Sequence, residues 1–285
     1  KEWYEAGLIG EVKEVITWTD RPARGWGFNG QVRTSYPPAE KIPEGMDWDL
    51  WLGPCQEDVP FSRAIHPTTW RPWWSFGCGG LGDIGCHTID TAYWALGLGA
   101  PDRVEVDMTE KANPIHTPNG SIVTYKFPAR GKQPAVDVKW IEGPRLPKAP
   151  KGYDWEIKGN GGFIMVGEKG GISHDGMRPN SPRLYPKSRW ESYRKNANER
   201  VPKTLKRVPG IHNDWVNGIR NSEMTVSDFS YSGPLTESII LGTLAIRTGK
   251  GLEWSSKDMK ISGNQEAADL VNVEARKGWR TSDLI

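Results

Sequence analysis

Between His66 and Asp90 the sequence gathers imidazoles, carboxylates, a guanidinium, tryptophans and a run of glycines. If a helix begins near Gly82, the step of about 100° per residue puts Asp83, His87, Asp90 and Trp94 along one face. Asp83 then stands in the first turn, where its carboxylate caps free N–H groups and its charge is favoured. His87 follows one turn later. A carboxylate beside an imidazole fixes the tautomer and raises the proton affinity of the ring, as a general acid or base near neutral pH requires. The same spacing also fits a plain N-cap followed by a satisfied, half-buried histidine. Gly77, Gly79, Gly80 and Gly82 tilt the reading toward a site, because glycines let backbone approach a ligand closely.

Trp70, Trp73 and Trp74 present flat indole faces of the kind that suit sugar rings, although aromatic side chains also fill cores. Arg71, set among them, is read as holding a sugar hydroxyl or carboxylate, or as merely stacking. His66 joins this patch as a substrate-binding candidate, and His212, beside Asp214, is a second polar pair for which capping is an alternative. Gly77, Gly79 and Gly82 match the G-x-G-x-x-G places of a dinucleotide fingerprint. That reading is set aside, because Trp70-Arg71-Pro72-Trp73-Trp74 stands where a buried strand should precede the turn. Gly80 is retained as a cofactor contact. Cys78, Asp83, Cys86, His87 and His66 carry ligand atoms, but their spacing matches no zinc pattern, so no metal is expected.

These residues need elements to hold them. A chain of 285 residues is long enough for a full core. Lys and Arg (37) nearly balance Asp and Glu (35), which leaves no basic excess for a nucleic-acid partner. No stretch approaches the roughly 20 apolar residues of a membrane span. Three cysteines are too few for a disulfide framework and read as buried thiols. A helix end is expected at residues 1–10, stopped by Gly10, then a strand over Val12 to Thr19 and a long loop from Asp20 to Glu44. A short helix over Asp47 to Leu52 and a longer one through Thr88 to Leu98 follow. Strands are expected over Asp102–Thr109, Ser121–Phe127, Ala135–Ile141, Trp155–Lys158, Gly162–Val166 and Gly171–Ser173. Residues 177–209 read as irregular, and helices are expected over Ile211–Arg220, Pro234–Arg247 and Asn264–Arg276.

Strands that follow one another without helices between them imply an α+β fold, an open and predominantly antiparallel sheet with helices packed on one face. The second face, with Tyr125, Trp140 and Trp155 placed on it, is expected to be apolar enough to make the chain a homo-oligomer.

Three segments together, Ala6 to Val12, Gly79 to Asp90 and Gly162 to Gly171, resemble the second domain of the Gfo/Idh/MocA oxidoreductases, over nearly the whole chain. The resemblance implies a single substrate-binding and oligomerisation domain, residues 1–285, of an enzyme acting on a sugar or polyol with NAD or NADP. It implies that Asp83 and His87 are the catalytic pair. It also implies that the cofactor belongs to a Rossmann domain without counterpart here, so that this chain is expected to be a fragment, inactive and without cofactor by itself. Redox-assisted glycoside cleavage and a non-catalytic carbohydrate-binding domain are the alternatives. The blocks Asp47 to Pro54 and Trp70 to Trp74 are similar to a subgroup often exported.

Overall fold

A computed structural model describes residues 1–22 and 31–283, with the backbone alone described at Glu199. The opening helix α1 (Glu2–Glu5) leads into strand β1 (Val12–Thr19). The expected loop after it falls partly outside the described residues, and from 31 to 44 it is irregular. Helix α2 (Trp48–Leu52) starts on the Asp47 carboxylate, which accepts from Leu50 N at 3.0 Å. Helix α3 (Gly79–Leu96) is the long element that carries the candidate chemistry. Then come strands β2 (Arg103–Met108), β3 (Ser121–Phe127), β4 (Val136–Glu142), β5 (Gly162–Gly167), β6 (Gly170–Asp175) and β7 (Arg183–Tyr185). The chain continues through α4 (Lys187–Lys195), α5 (Ile211–Asn221), α6 (Phe229–Thr248), the hairpin β8 (Leu252–Ser255) and β9 (Lys260–Ser262), and α7 (Gln265–Asp269).

Among the described residues nine strands form one open sheet in the order β7-β6-β5-β1-β4-β3-β2-β8-β9. Only the β1–β4 pairing is parallel, so the sheet is predominantly antiparallel, as the strand series predicts. Alternation within each strand decides what each face carries. One face, with Val123, Tyr125, Phe127, Val138, Trp140, Phe163 and Met165, packs under α3 and α6 and holds the main core. No described helix is long and apolar enough to cross a membrane.

The second face differs from expectation. Tyr125 and Trp140, both 0% exposed, point into the helix-covered core instead. Trp155 belongs to no strand. It lies over the second face, where Tyr153, Trp155 and Ile157 cover Ile16, Trp18, Ile141, Ile164 and Tyr185. The indole of Trp18 donates to Lys158 O at 2.8 Å and that of Trp155 to Leu184 O at 3.0 Å, fastening this cover down. The remainder of the face is a ladder of charges, with Lys126 paired to Asp137 at 2.6 Å and Lys139 to Glu14 at 2.5 Å. The apolar half is therefore occupied by the chain itself.

A second, smaller core gathers Trp48, Leu52, Val59, Phe61, Ile65 and Trp73 from the segment before α3. Its anchor to the body is a short bridge between Trp73 and His116, flanked by Trp74 N donating to Ile115 O at 3.0 Å and Thr117 N to Pro72 O at 2.8 Å.

Candidate active site

Helix α3 begins at Gly79, earlier than its apolar spacing predicts. Gly79 has a left-handed φ of +65° and the N-cap Cys78 offers no side-chain bond. What closes this helix start is Glu142 at the end of β4, whose buried carboxylate accepts from the Leu81 N–H. Leu81, Ile84, Gly85, Ile89 and Ala92 turn into the core. Asp83, His87 and Asp90 are half-buried, and Trp94 is 42% exposed, on the opposite stripe. The face drawn from spacing is thus assembled, but Asp83 sits in the second turn and caps nothing.

The pairing within that face also differs. Asp83 Oδ1 receives Arg71 Nε at 3.2 Å, and among the described residues no hydrogen bond or ion pair joins Asp83 to His87. Arg71 is steered there by its own loop: Nη1 donates to Thr68 O at 2.8 Å, the guanidinium lies 4.9 Å from the Trp70 ring, and Gly79 N donates to Arg71 O at 3.1 Å. His87 is electrostatically coupled to Asp90 instead. Burial raises the Asp90 carboxyl above its ordinary range, while the Tyr231 hydroxyl bonded to it and the nearby His87 pull it back.

One to two turns beyond His87 a hollow of about 470 Å³ opens between α3, α1 and the sheet. Asp90, Thr91 and Trp94 form one wall, Trp3 another, and Phe163 and His174 the floor. Asp83 and His87 are not part of its lining. His174 is 2% exposed, stacks on Phe163 at 5.1 Å and places Nε2 3.5 Å from Thr91 Oγ1. Burial lowers its proton affinity, so it is held neutral near pH 7. The sequence reading passes over His174, Glu142 and Tyr231. Strand alternation is the signal that places His174 with Ile172 on the helix-covered face.

The tryptophan wall is corrected. Trp73 lies in the short bridge to His116 while Trp74 already belongs to the turn after it, and the two side chains leave toward different cores. Trp73 (4% exposed) enters the small core, stacked on Tyr36, and Trp74 (8%) enters the main one with Nε1 donating to Asn113 O at 3.1 Å. Neither can present its face to a sugar; Trp70 is half-exposed and can. His66 stands edge-on to Trp51 at 5.5 Å beside the small core, and His212 is exposed on α5. No hydrogen bond, ion pair or ring contact among those described links either histidine to α3.

The glycines also serve another purpose. A Cβ at Gly77 would lie 2.2 Å from Arg71 O, at Gly79 2.8 Å from Thr117, at Gly80 2.4 Å from Glu142 Oε2 and at Gly82 2.3 Å from the Cys78 side chain. They are small because protein packs against them. At Gly80 the neighbour that requires glycine is the Glu142 carboxylate, a contact within the chain itself. Among the described residues no three His, Cys, Asp or Glu side chains converge as a metal donor set. Cys78 and Cys86 are exposed and Cys55 is intermediate, contrary to the expectation of buried thiols.

A family profile described as the oxidoreductase family, C-terminal alpha/beta domain, matches residues 2–147. No curated protein matches the chain. Among solved structures, the WlbA dehydrogenase from Bordetella pertussis, in complex with NADH and UDP-GlcNAcA, is similar at 12% identity and a TM-score of 0.46, over 90% of this chain and 59% of that one. An oxidoreductase from Thermotoga maritima gives 13% and 0.41 over 89% and 57%. An oxidoreductase from Agrobacterium radiobacter, in complex with NAD+, L-tartaric acid and magnesium, gives 13% and 0.38 over 89% and 60%. The chain spans less than two thirds of the length of each of these structures.

Proposed function

Since the chain belongs to the Gfo/Idh/MocA oxidoreductase family, as its C-terminal α/β domain, we propose that residues 1–285 form the substrate-facing domain of an NAD(P)-dependent oxidoreductase of sugars or polyols. The observation that carries this reading is the half-exposed row Asp83, His87, Asp90 and Trp94 on α3, with Arg71 locked against its first member. At Gly77, Gly79, Gly80 and Gly82 it is the chain itself that packs against the glycines. The cofactor is therefore assigned to a separate nucleotide-binding domain, and no step of the proposal runs through it.

Within this chain, His87 exchanges a proton with a ring hydroxyl of the substrate, the general acid–base role most often taken by an imidazole. Asp83 contributes negative charge beside that proton and fixes the Arg71 guanidinium, a planar donor suited to hydroxyl or carboxylate oxygens. Trp70 offers the apolar face of the sugar a surface. In the chain joined to its nucleotide-binding domain, His87→Ala is expected to lower turnover by roughly 10²- to 10⁴-fold, the range of general acid–base catalysis. A variant that turns over as fast as the parent removes His87 from the chemistry. The reading also has copies of the chain pairing through the charged half of the second sheet face. Sedimentation showing only monomer would end that part.

A further inference from the structure

Strand β4 ends on Glu142, a carboxylate for which the chemistry above has no use. It is 1% exposed. Ser121 Oγ donates to Oε1 at 2.9 Å, Trp140 Nε1 donates to Oε2 at 3.0 Å, and the Leu81 N–H in the first turn of α3 is the third donor. Around it, β3 contributes the Tyr125 hydroxyl, which feels its charge. From α3, Gly80 sits against Oε2, with the Arg21 main-chain oxygen close by. Among the described residues no cation is named with the groups that act on it.

A carboxylate so deeply buried is costly to ionise even with three donors, because the donors offset only part of the desolvation. The first turn of α3 is the lid over it. That turn also carries the bond from Gly79 N to Arg71 O, and Asp83 follows directly. We propose that Glu142 is a positioning residue for the catalytic face: as a neutral carboxyl it keeps the first turn of α3, and with it the Arg71–Asp83 pair, seated on the sheet, and on ionising it lets that turn loosen.

The direction follows from linkage. Burial pushes the Glu142 carboxyl up to about 7 when the turn is seated. Lifting the turn admits water and returns the group to its ordinary range, so a rising pH favours lifting. The purpose given to this device rests on α3 being the catalytic face, whereas the device itself does not.

The test uses the 285-residue chain and amide hydrogen exchange from about pH 5 to about pH 8.5, corrected for intrinsic chemistry. Peptides from α3 (79–86) are compared with α6 (229–248) as an internal reference. Protection of the α3 start relative to α6 is expected to fall by roughly ten- to a hundredfold across neutrality in the parent. It should stay level in Glu142→Gln, which keeps the shape and an acceptor without the charge. Equal slopes in parent and variant overturn the proposal. Should Glu142→Gln fail to fold, the parent decides alone: a level relative protection overturns it, a falling one supports it. Failure of the His87→Ala assay would instead remove the enzyme reading and leave the exchange result standing.

Discussion

Two helices of this chain carry an aspartate and a histidine within one turn, and the structure uses them in opposite ways. On α3 the apolar stripe faces inward and the polar stripe, with Asp83 and His87, faces out beside an arginine. On α5 the orientation is reversed. Asp214 is its buried residue, at 4% exposure, accepting from Val226 N at 2.8 Å with Lys206 at 3.6 Å, while Trp215 and Ile219 are 61% and 66% exposed. His212 points to solvent with them. Residue type alone therefore does not distinguish a site from a fastening; what the neighbouring segments deliver does. Arg71 and the hollow come to α3, and a turn of backbone comes to Asp214.

The sharpest way to break this contrast is kinetic. Against the loss expected for His87→Ala, His212→Ala in the same joined protein should change turnover by no more than a few-fold. Equal losses would put both helices in the chemistry. Next in size is a pH effect on stability. The folded Glu142 carboxyl lies near 7 and the unfolded one near 4.5. Its contribution is then fully present below about pH 4.5 and is lost as the pH rises through about 7, a difference of at most about 3 kcal/mol. Urea melts of parent and Glu142→Gln at several pH values should diverge in that window, and parallel curves would contradict it. The smallest contrast lies between the two aspartates. Asp214→Ala removes a buried carboxylate and leaves the Val226 N–H without its acceptor, and should cost about 1–3 kcal/mol. Asp83→Ala breaks an ion pair that is about 30% exposed and should cost under about 1 kcal/mol. A reversed order in denaturant melts would mean that Asp83 is the structural residue.

Much of the sheet was legible because strand alternation is a local pattern: Ser121–Phe127 has alternate residues buried as read, and Val12–Thr19 has the expected bounds. The start of α3 was not. Gly79, Gly80, Gly82 and Gly85 are poor helix formers, and at the first two glycine is required because Thr117 and Glu142, distant in sequence, leave no room for a larger side chain. Tertiary contacts of that kind have no local signature. The same holds for the end of α7, expected to run to Arg276 but stopping at Asp269. Arg276 is drawn away to Gly53 O at 2.6 Å and Asp49 Oδ1 at 2.6 Å, partners more than two hundred residues earlier. Within 177–209, read as irregular, β7 and α4 form because one adds to the edge of β6 and the other packs against it. The short β8–β9 hairpin was missed, its alternation being masked by charged residues. The site was legible as a helical face, and illegible in its pairing, since the meeting of Arg71 with Asp83 depends on a loop folding back.

Strand β1 lies at the centre of the sheet, and both its neighbours are made late. Lys139 bonds Glu14 across 125 residues of sequence, and β5 lies further on still. A ribosome would therefore release this Val-Ile-Trp strand with both edges bare long before either neighbour emerges. Assembly dominated by such distant pairings is slow, and an unsatisfied β-edge is a seed for aggregation while it waits. Production of the protein should gain more from slowed synthesis, or from a chaperone that shields β1, than from any strengthening of the finished core.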